Sequence, residues 1–187
     1  MSTIRDWRQS REMWVRVLEK QTSEGLDVWN ERVRKETIAD ENALRDWLST
    51  EGVTGYAQSL LVMERFGYPD FLLASADELI VRQYADRSRL RPIYDAVILA
   101  AERCGELIIQ ARKTYVSLVA PRRTFARVQP AKTRVDLGLR LEKCEPGGRL
   151  ELSRIHHTMR VQIALTTPSE VDTEVQRWLQ LAYLENS

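Results

Sequence analysis

The stretch that decides the fold runs from Lys113 to Leu141 and reads KTYVSLVAPRRTFARVQPAKTRVDLGLRL. Apolar and polar side chains alternate along it with a period of two, as in a β-strand with one buried face. Two turn signals, Pro121-Arg122-Arg123 and Pro130-Ala131-Lys132, divide it into three short strands. The alternation predicts that the inward side chains are Val116, Leu118, Ala126, Val128, Val135, Leu137, Leu139 and Leu141.

The opposite face of these predicted strands is basic and aromatic. Alternation and the turns place on it, or at its rim, Tyr115, Arg122, Arg123, Phe125, Arg127, Gln129, Arg134, Arg140, Arg154 and Arg160. Aromatic rings among arginines are what base stacking and phosphate neutralisation require. The same mixture is typical of protein interfaces. Gly138 also falls on this face, where a missing side chain leaves room for a ligand backbone. We take this face as the candidate binding surface.

The segments around the three strands complete an α+β domain. Residues 106–110 predict a further strand, and residues 154–165 predict a last one. The inward side of that last strand is predicted to hold Ile155, His157 and Met159. Helical periodicity over residues 90–104 and 167–184 predicts two helices that cover the aliphatic face. The predicted fold class is therefore α+β, with an antiparallel sheet of four to five strands under two helices.

The first half of the chain reads as a series of short amphipathic helices. Apolar residues recur at helical spacing between residues 6 and 85, and breaks such as Glu51–Gly55 separate the helices. Four of the five tryptophans lie here, at spacings that predict core anchors rather than a ligand cage. The change of period predicts two domains, a helical one over residues 1–86 and an α+β one over residues 87–187.

The composition is that of an ordinary globular protein with one basic segment. The net charge is only +1, but residues 112–160 hold 12 Lys and Arg against 4 Asp and Glu, a balance of +8. No apolar run is long enough to span a bilayer, and the N-terminus lacks the apolar segment of a signal peptide. We therefore expect a cytoplasmic protein with no membrane partner.

The chemistry-bearing residues form no recognisable catalytic or metal-binding set. Cys104 and Cys144 are too few and too far apart for a zinc site. His156 and His157 are adjacent on a predicted strand, which would point their rings to opposite faces. Asp136 lies among arginines, which favours an ion pair over a general base. The sequence thus predicts neither a metal nor a cofactor, and it leans away from an enzyme.

Two sets of motifs carry a resemblance to a known type of protein. The helical half contains Leu26-x-x-Trp29, Trp47-Leu48 and Gly52-x-x-Gly55-Tyr56-Ala57. The sheet half contains KTYVSL at 113–118 and RVDLGL at 134–139. Together they resemble bacterial proteins in which two domains of unknown function stand in tandem, the second loosely labelled a predicted transport protein. The second domain is also similar to tails of some bacterial restriction-type nucleases, and the resemblance implies no specific reaction.

Three hypotheses for function follow from the basic and aromatic face. The first is a non-enzymatic binding module that associates with nucleic acid through this face. The second is a protein, enzymatic or not, that binds a small molecule or anion where the helical domain meets the sheet. The third is an interaction module that forms a homodimer or binds a partner protein.

Overall fold

The alternating stretch forms the centre of a seven-stranded sheet. A computed structural model of the protein describes residues 3–4 and 7–187, with side chains from Ser10 onward. Residues 7–75 form one unit, and residues 76–187 together with the strand at residues 3–4 form another. Each unit has its own hydrophobic core, and the sheet belongs to the second unit.

The first unit is helical. Its elements are α1 (Trp7–Thr22), α2 (Leu26–Lys35), α3 (Glu41–Thr50), α4 (Gly55–Phe66) and the short α5 (Asp70–Leu73). Helix α4 packs against α1, α2 and α3. Trp14 and Trp29 are buried, which agrees with their predicted role as core anchors. None of the helices in the described residues of either unit is long and apolar enough to cross a membrane.

The second unit combines the sheet with three further α-helices. Its elements are β1 (Thr3–Ile4), α6 (Ala76–Tyr84), α7 (Arg91–Glu102), β2 (Ile108–Ala111), β3 (Val116–Val119), β4 (Thr124–Pro130), β5 (Val135–Leu139), β6 (Glu151–Leu152), β7 (Val161–Leu165) and α8 (Thr173–Glu185). The strand order is β1-β2-β3-β4-β5-β7-β6, with β1 parallel to β2 and the other neighbours antiparallel. The α+β class is confirmed. The predicted strand count was too low because β1 and β6, with two residues each, show no periodicity.

The aliphatic face of the sheet forms one core with helices α6, α7 and α8. The predicted inward side chains are all buried, namely Val116, Leu118, Ala126, Val128, Val135, Leu137, Leu139 and Leu141. Helix α7 adds Ile93 and α8 adds Leu179 to this core, as the two predicted covering helices should. Helix α6 joins it through Ile80, and Gln83 Nε2 donates a 2.6 Å hydrogen bond to the carbonyl oxygen of Arg112.

A shift of register between β3 and β4 decides where Phe125 points. Leu118 pairs with Ala126 and Val119 pairs with Thr124, so that Phe125 is an extra residue of β4 between these two pairs. This arrangement is a β-bulge. Strict alternation places Phe125 outside together with Arg127, and that prediction is wrong. Phe125 is completely buried, with its ring edge-on to Tyr183 of α8 at a centroid distance of 5.5 Å.

The predicted strand over residues 154–165 is half loop. Within this range, only residues 161–165 pair in the sheet, as strand β7. Residues 153–160 form the loop between β6 and β7, here called the crossing loop. The loop passes over the outer face at Gly138, where a Cβ atom would lie 3.1 Å from Met159 Cβ and 3.2 Å from Ile155 Cδ1. Gly138 therefore makes room for the loop and not for a ligand backbone. For the same reason the prediction that Ile155, His157 and Met159 face the aliphatic core is wrong. His157 is exposed, Ile155 is half-buried, and Met159 is buried on the outer face against Gly138.

Replacing Phe125 by alanine tests its burial. We expect Phe125→Ala to lower the free energy of unfolding by about 3–5 kcal/mol, the range for a buried aromatic side chain. An outward-facing phenylalanine would change it by no more than about 0.5 kcal/mol. Urea denaturation measures the difference. Arg154→Ala, at an exposed position of the same unit, is the control, and a loss below about 1 kcal/mol for Phe125→Ala would contradict the assignment.

Candidate functional site

The outer face of the sheet, opposite its aliphatic core, carries a row of residues in register. Gln110, Ser117, Arg127, Gly138 and Gln162 are successive partners on β2, β3, β4, β5 and β7. Partners across a ladder point to the same side of a sheet, so these residues share one face. Arg127 lies in the middle of the row, on the central strand of the seven.

A cleft of about 270 Å³ opens on this face beside Arg127. Its walls come from β2, β3, β4, the end of β5 and the crossing loop. The lining residues are Gln110, Arg112, Tyr115, Ser117, Thr124, Arg127, Arg140, His156, Thr158 and Met159. Three of them are arginines and none is a carboxylate, so the field inside the cleft favours an anion. All of them belong to the sheet unit.

Arg127 lies flat against Tyr115, with its Cζ atom 3.4 Å from the ring centroid. Such stacking occupies one face of the guanidinium group and leaves its N–H donors, which lie in the guanidinium plane, to other partners. The Nε atom is buried and has no hydrogen-bond partner among the described residues. Burial lowers the pKa of Arg127, although a guanidinium group stays protonated at neutral pH. Arg127 is therefore a fixed cation with an unused donor.

Arg140 supplies a second cation and is held from two directions. Its Nε donates to the carbonyl oxygen of Thr158 at 3.2 Å, and its own carbonyl accepts from Asn186 Nδ2 at 2.9 Å. Burial, followed by the charge of Arg123, lowers the pKa of Arg140. In the part of the chain that the structure describes, no carboxylate lies within ion-pair distance of Arg127 or Arg140.

His156 enters the cleft from the crossing loop. Its Nδ1 accepts from the backbone N–H of Thr158 at 3.2 Å and lies 2.8 Å from the Thr158 hydroxyl. Burial lowers the pKa of His156, and the neighbouring His157, Arg127 and Arg140 lower it further. The two histidine rings lie 4.2 Å apart, which corrects the prediction that they point to opposite faces. No group of three or more metal-ligating side chains occurs among the described residues.

Only three members of the predicted binding surface line the cleft, namely Tyr115, Arg127 and Arg140. Phe125 is in the core. Arg134 pairs with Asp136 at an Nε–Oδ1 distance of 2.7 Å, which confirms the predicted ion pair.

The other predicted polar residues lie outside the cleft, and three of their arginines bind oxygen atoms of the protein itself. Arg122 donates to the carbonyl oxygen of Glu185 at 2.7 Å, and Arg123 donates from Nε to Asn186 Oδ1 at 2.6 Å. Arg160 binds Glu145 Oε1 at 2.7 Å. Of the two remaining residues, Arg154 is exposed, and Gln129 has a buried Oε1 atom without a partner among the described residues.

Sequence reasoning missed several residues of the cleft for identifiable reasons. The bulge brings Thr124 to the cleft, because one extra residue in β4 resets the alternation. Arg112 lies beyond the predicted strand of residues 106–110. His156, Thr158 and Met159 come from the crossing loop, which was predicted as a strand. The available signal was Gly138, since a glycine inside a strand marks the close approach of another backbone.

Arg127→Met tests whether the charged side chain of Arg127 lowers the free energy of unfolding. We expect the free energy of unfolding to stay unchanged or to rise by about 1 kcal/mol, because a buried unpaired donor is lost while methionine still packs on Tyr115. Urea denaturation measures it. In the control, Arg134→Met, the ion pair with Asp136 is lost, so no gain is expected. A loss above about 1 kcal/mol in Arg127→Met would show that Arg127 stabilises the fold.

Comparison with known proteins finds one family. The model of that family, described as domain of unknown function DUF5655, matches residues 80–186. This range contains the chain from β2 to α8, with every residue that lines the cleft. No curated protein and no solved structure matches the chain.

Proposed function

The chain belongs to the DUF5655 family, and we propose that its sheet unit binds a small molecule carrying a phosphate or carboxylate group in the arginine-lined cleft. The observation that carries the proposal is the guanidinium group of Arg127, which has no counter-ion among the described residues and lines a cleft with three arginines and no carboxylate. Phosphate and carboxylate share the oxygen acceptors that a guanidinium group binds in pairs.

The energetics of Arg127 support an anionic ligand. A buried donor without a partner costs about 1–3 kcal/mol, and the cost is higher when the group is charged. A bound oxyanion reduces this cost by neutralising the charge of the guanidinium group. Tyr115 holds the guanidinium group in place before the ligand arrives, so little side-chain entropy is lost on binding. The same reasoning applies to Arg140, whose Nε is already held by the crossing loop.

The size and the aromatic content of the cleft favour a small ligand over a nucleic-acid strand. Its volume of about 270 Å³ is below the roughly 300–1,000 Å³ of sites for drug-sized molecules. A strand of bases needs exposed rings on which successive bases stack. Phe125 is buried in the core, and Arg127 covers one face of Tyr115. The nucleic-acid hypothesis required both rings to be open for stacking with bases, and neither ring is fully open in this way.

Ligand binding by the full chain tests the proposal. Thermal unfolding and calorimetry would be run with inorganic sulfate, inorganic phosphate, acetate, a nucleoside monophosphate and a single-stranded oligonucleotide. We expect saturable binding of at least one small anion. Arg127→Gln and Arg140→Gln should each weaken it about tenfold to a hundredfold, because a hydrogen bond to a charged group contributes about 1.5–3 kcal/mol.

Arg154→Gln is the matched control, since it removes the same charge from the crossing loop at an exposed residue outside the cleft. It should leave the affinity within about twofold, a difference of under 0.5 kcal/mol. Equal losses in all three variants would point to general charge attraction instead of a site. Tighter binding of the oligonucleotide with a steep salt dependence would favour the nucleic-acid hypothesis. Light scattering of the same samples tests self-association through this face.

A further inference from the structure

His156 lines the cleft, and its contacts with Thr158 define which of its ring nitrogens carries the proton. The backbone N–H of Thr158 can only donate, so the Nδ1 atom that it contacts at 3.2 Å must carry a lone pair. The Thr158 hydroxyl, 2.8 Å from the same nitrogen, completes the contact. A neutral imidazole in this arrangement carries its proton on Nε2, which has no partner among the described residues.

Burial and the charges around the ring favour its neutral form, because they lower the pKa of His156. The titratable and charged groups that act on His156 are His157 on its own loop, Arg127 on β4 and Arg140 after β5. Each is cationic or becomes so on protonation, and no carboxylate lines the cleft. A proton added at Nδ1 would also remove the hydrogen bond from the Thr158 backbone. Electrostatics and hydrogen bonding therefore favour the same neutral tautomer.

We propose that His156 contacts the bound anion as a neutral hydrogen-bond donor through Nε2–H, and that Thr158 is the positioning residue that fixes this tautomer. The inference rests on the proposed function, because it assigns a third donor to the same cleft. It also narrows the ligand class. Arg127, Arg140 and this tautomer of His156 all donate and none accepts, so these three groups select a fully ionised oxyanion over its protonated form.

Nitrogen-15 NMR of the histidine rings tests the proposal directly. The chain has only two histidines, so His157→Gln assigns the signals of His156 without ambiguity. Sulfate is the probe, because it stays a dianion near neutral pH and cannot itself exchange a proton with the protein. We expect His156 to be the Nε2–H tautomer in the free protein. Sulfate should then shift its Nε2–H signal saturably while the ring remains singly protonated.

Affinity measurements separate a contact from a structural role. His156→Ala should weaken sulfate binding about tenfold, since the lost hydrogen bond is made to a charged acceptor. His156→Gln should restore most of the affinity, because its amide also donates, and His157→Gln should bind as the wild type does. Thermal unfolding of each variant confirms that it is folded.

The outcomes distinguish this inference from the proposed function. An Nδ1–H tautomer, double protonation on sulfate binding, or wild-type affinity in His156→Ala would overturn the role of His156 alone. Sulfate binding would then still depend on Arg127 and Arg140. If wild-type protein binds none of the small anions, the cleft is not an anion site. Both the proposed function and the role of His156 would then be wrong.

Discussion

The register shift between β3 and β4 is the constraint from which both faces of the sheet follow. One extra residue in β4 allows Phe125 and Ala126, neighbours in the chain, to lie in the same core. Helix α8 meets this enlarged apolar surface with the ring of Tyr183. On the other face the same shift resets the alternation, so that Thr124 and Arg127 both line the cleft. A single local irregularity thus enlarges the core and shapes the candidate site.

The arginines of the cleft differ from several others in the sheet unit in having no counter-ion among the described residues. Arg123 donates to Asn186, and Arg134 pairs with Asp136. Within the described part of the chain, Arg127 has a stacking partner but no counter-ion, and the side chain of Arg140 donates to the carbonyl oxygen of Thr158 and has no counter-ion either. An uncompensated buried charge reduces stability, and such groups are common where binding has been favoured over stability.

The alternation of apolar and polar residues predicted correctly which side chains are buried where a strand is regular. The inward residues of β3, β4 and β5 were identified correctly, because a slip of one residue would have exposed them all. Phe125 was assigned to the wrong face because a bulge is a pairing feature of two strands, which the pattern of one strand does not record. The crossing loop was misread because its polar and apolar residues happen to alternate. Of the site, Tyr115, Arg127 and Arg140 were predicted, while His156 and Thr158 depend on the path of that loop.

The contact between Gly138 and the crossing loop has an evolutionary consequence. The side chains of Ile155 and Met159 pack over Gly138, whereas the exposed members of the loop, such as His156 and His157, do not contribute to the core. These exposed side chains are therefore free to vary without disturbing the packing beneath the sheet. A lineage could change the chemistry of the cleft by exchanging exposed residues of this loop while it keeps Gly138 and the strands. We expect selective pressure on the two parts to differ accordingly, with the glycine retained for geometry and the loop adapted to chemistry.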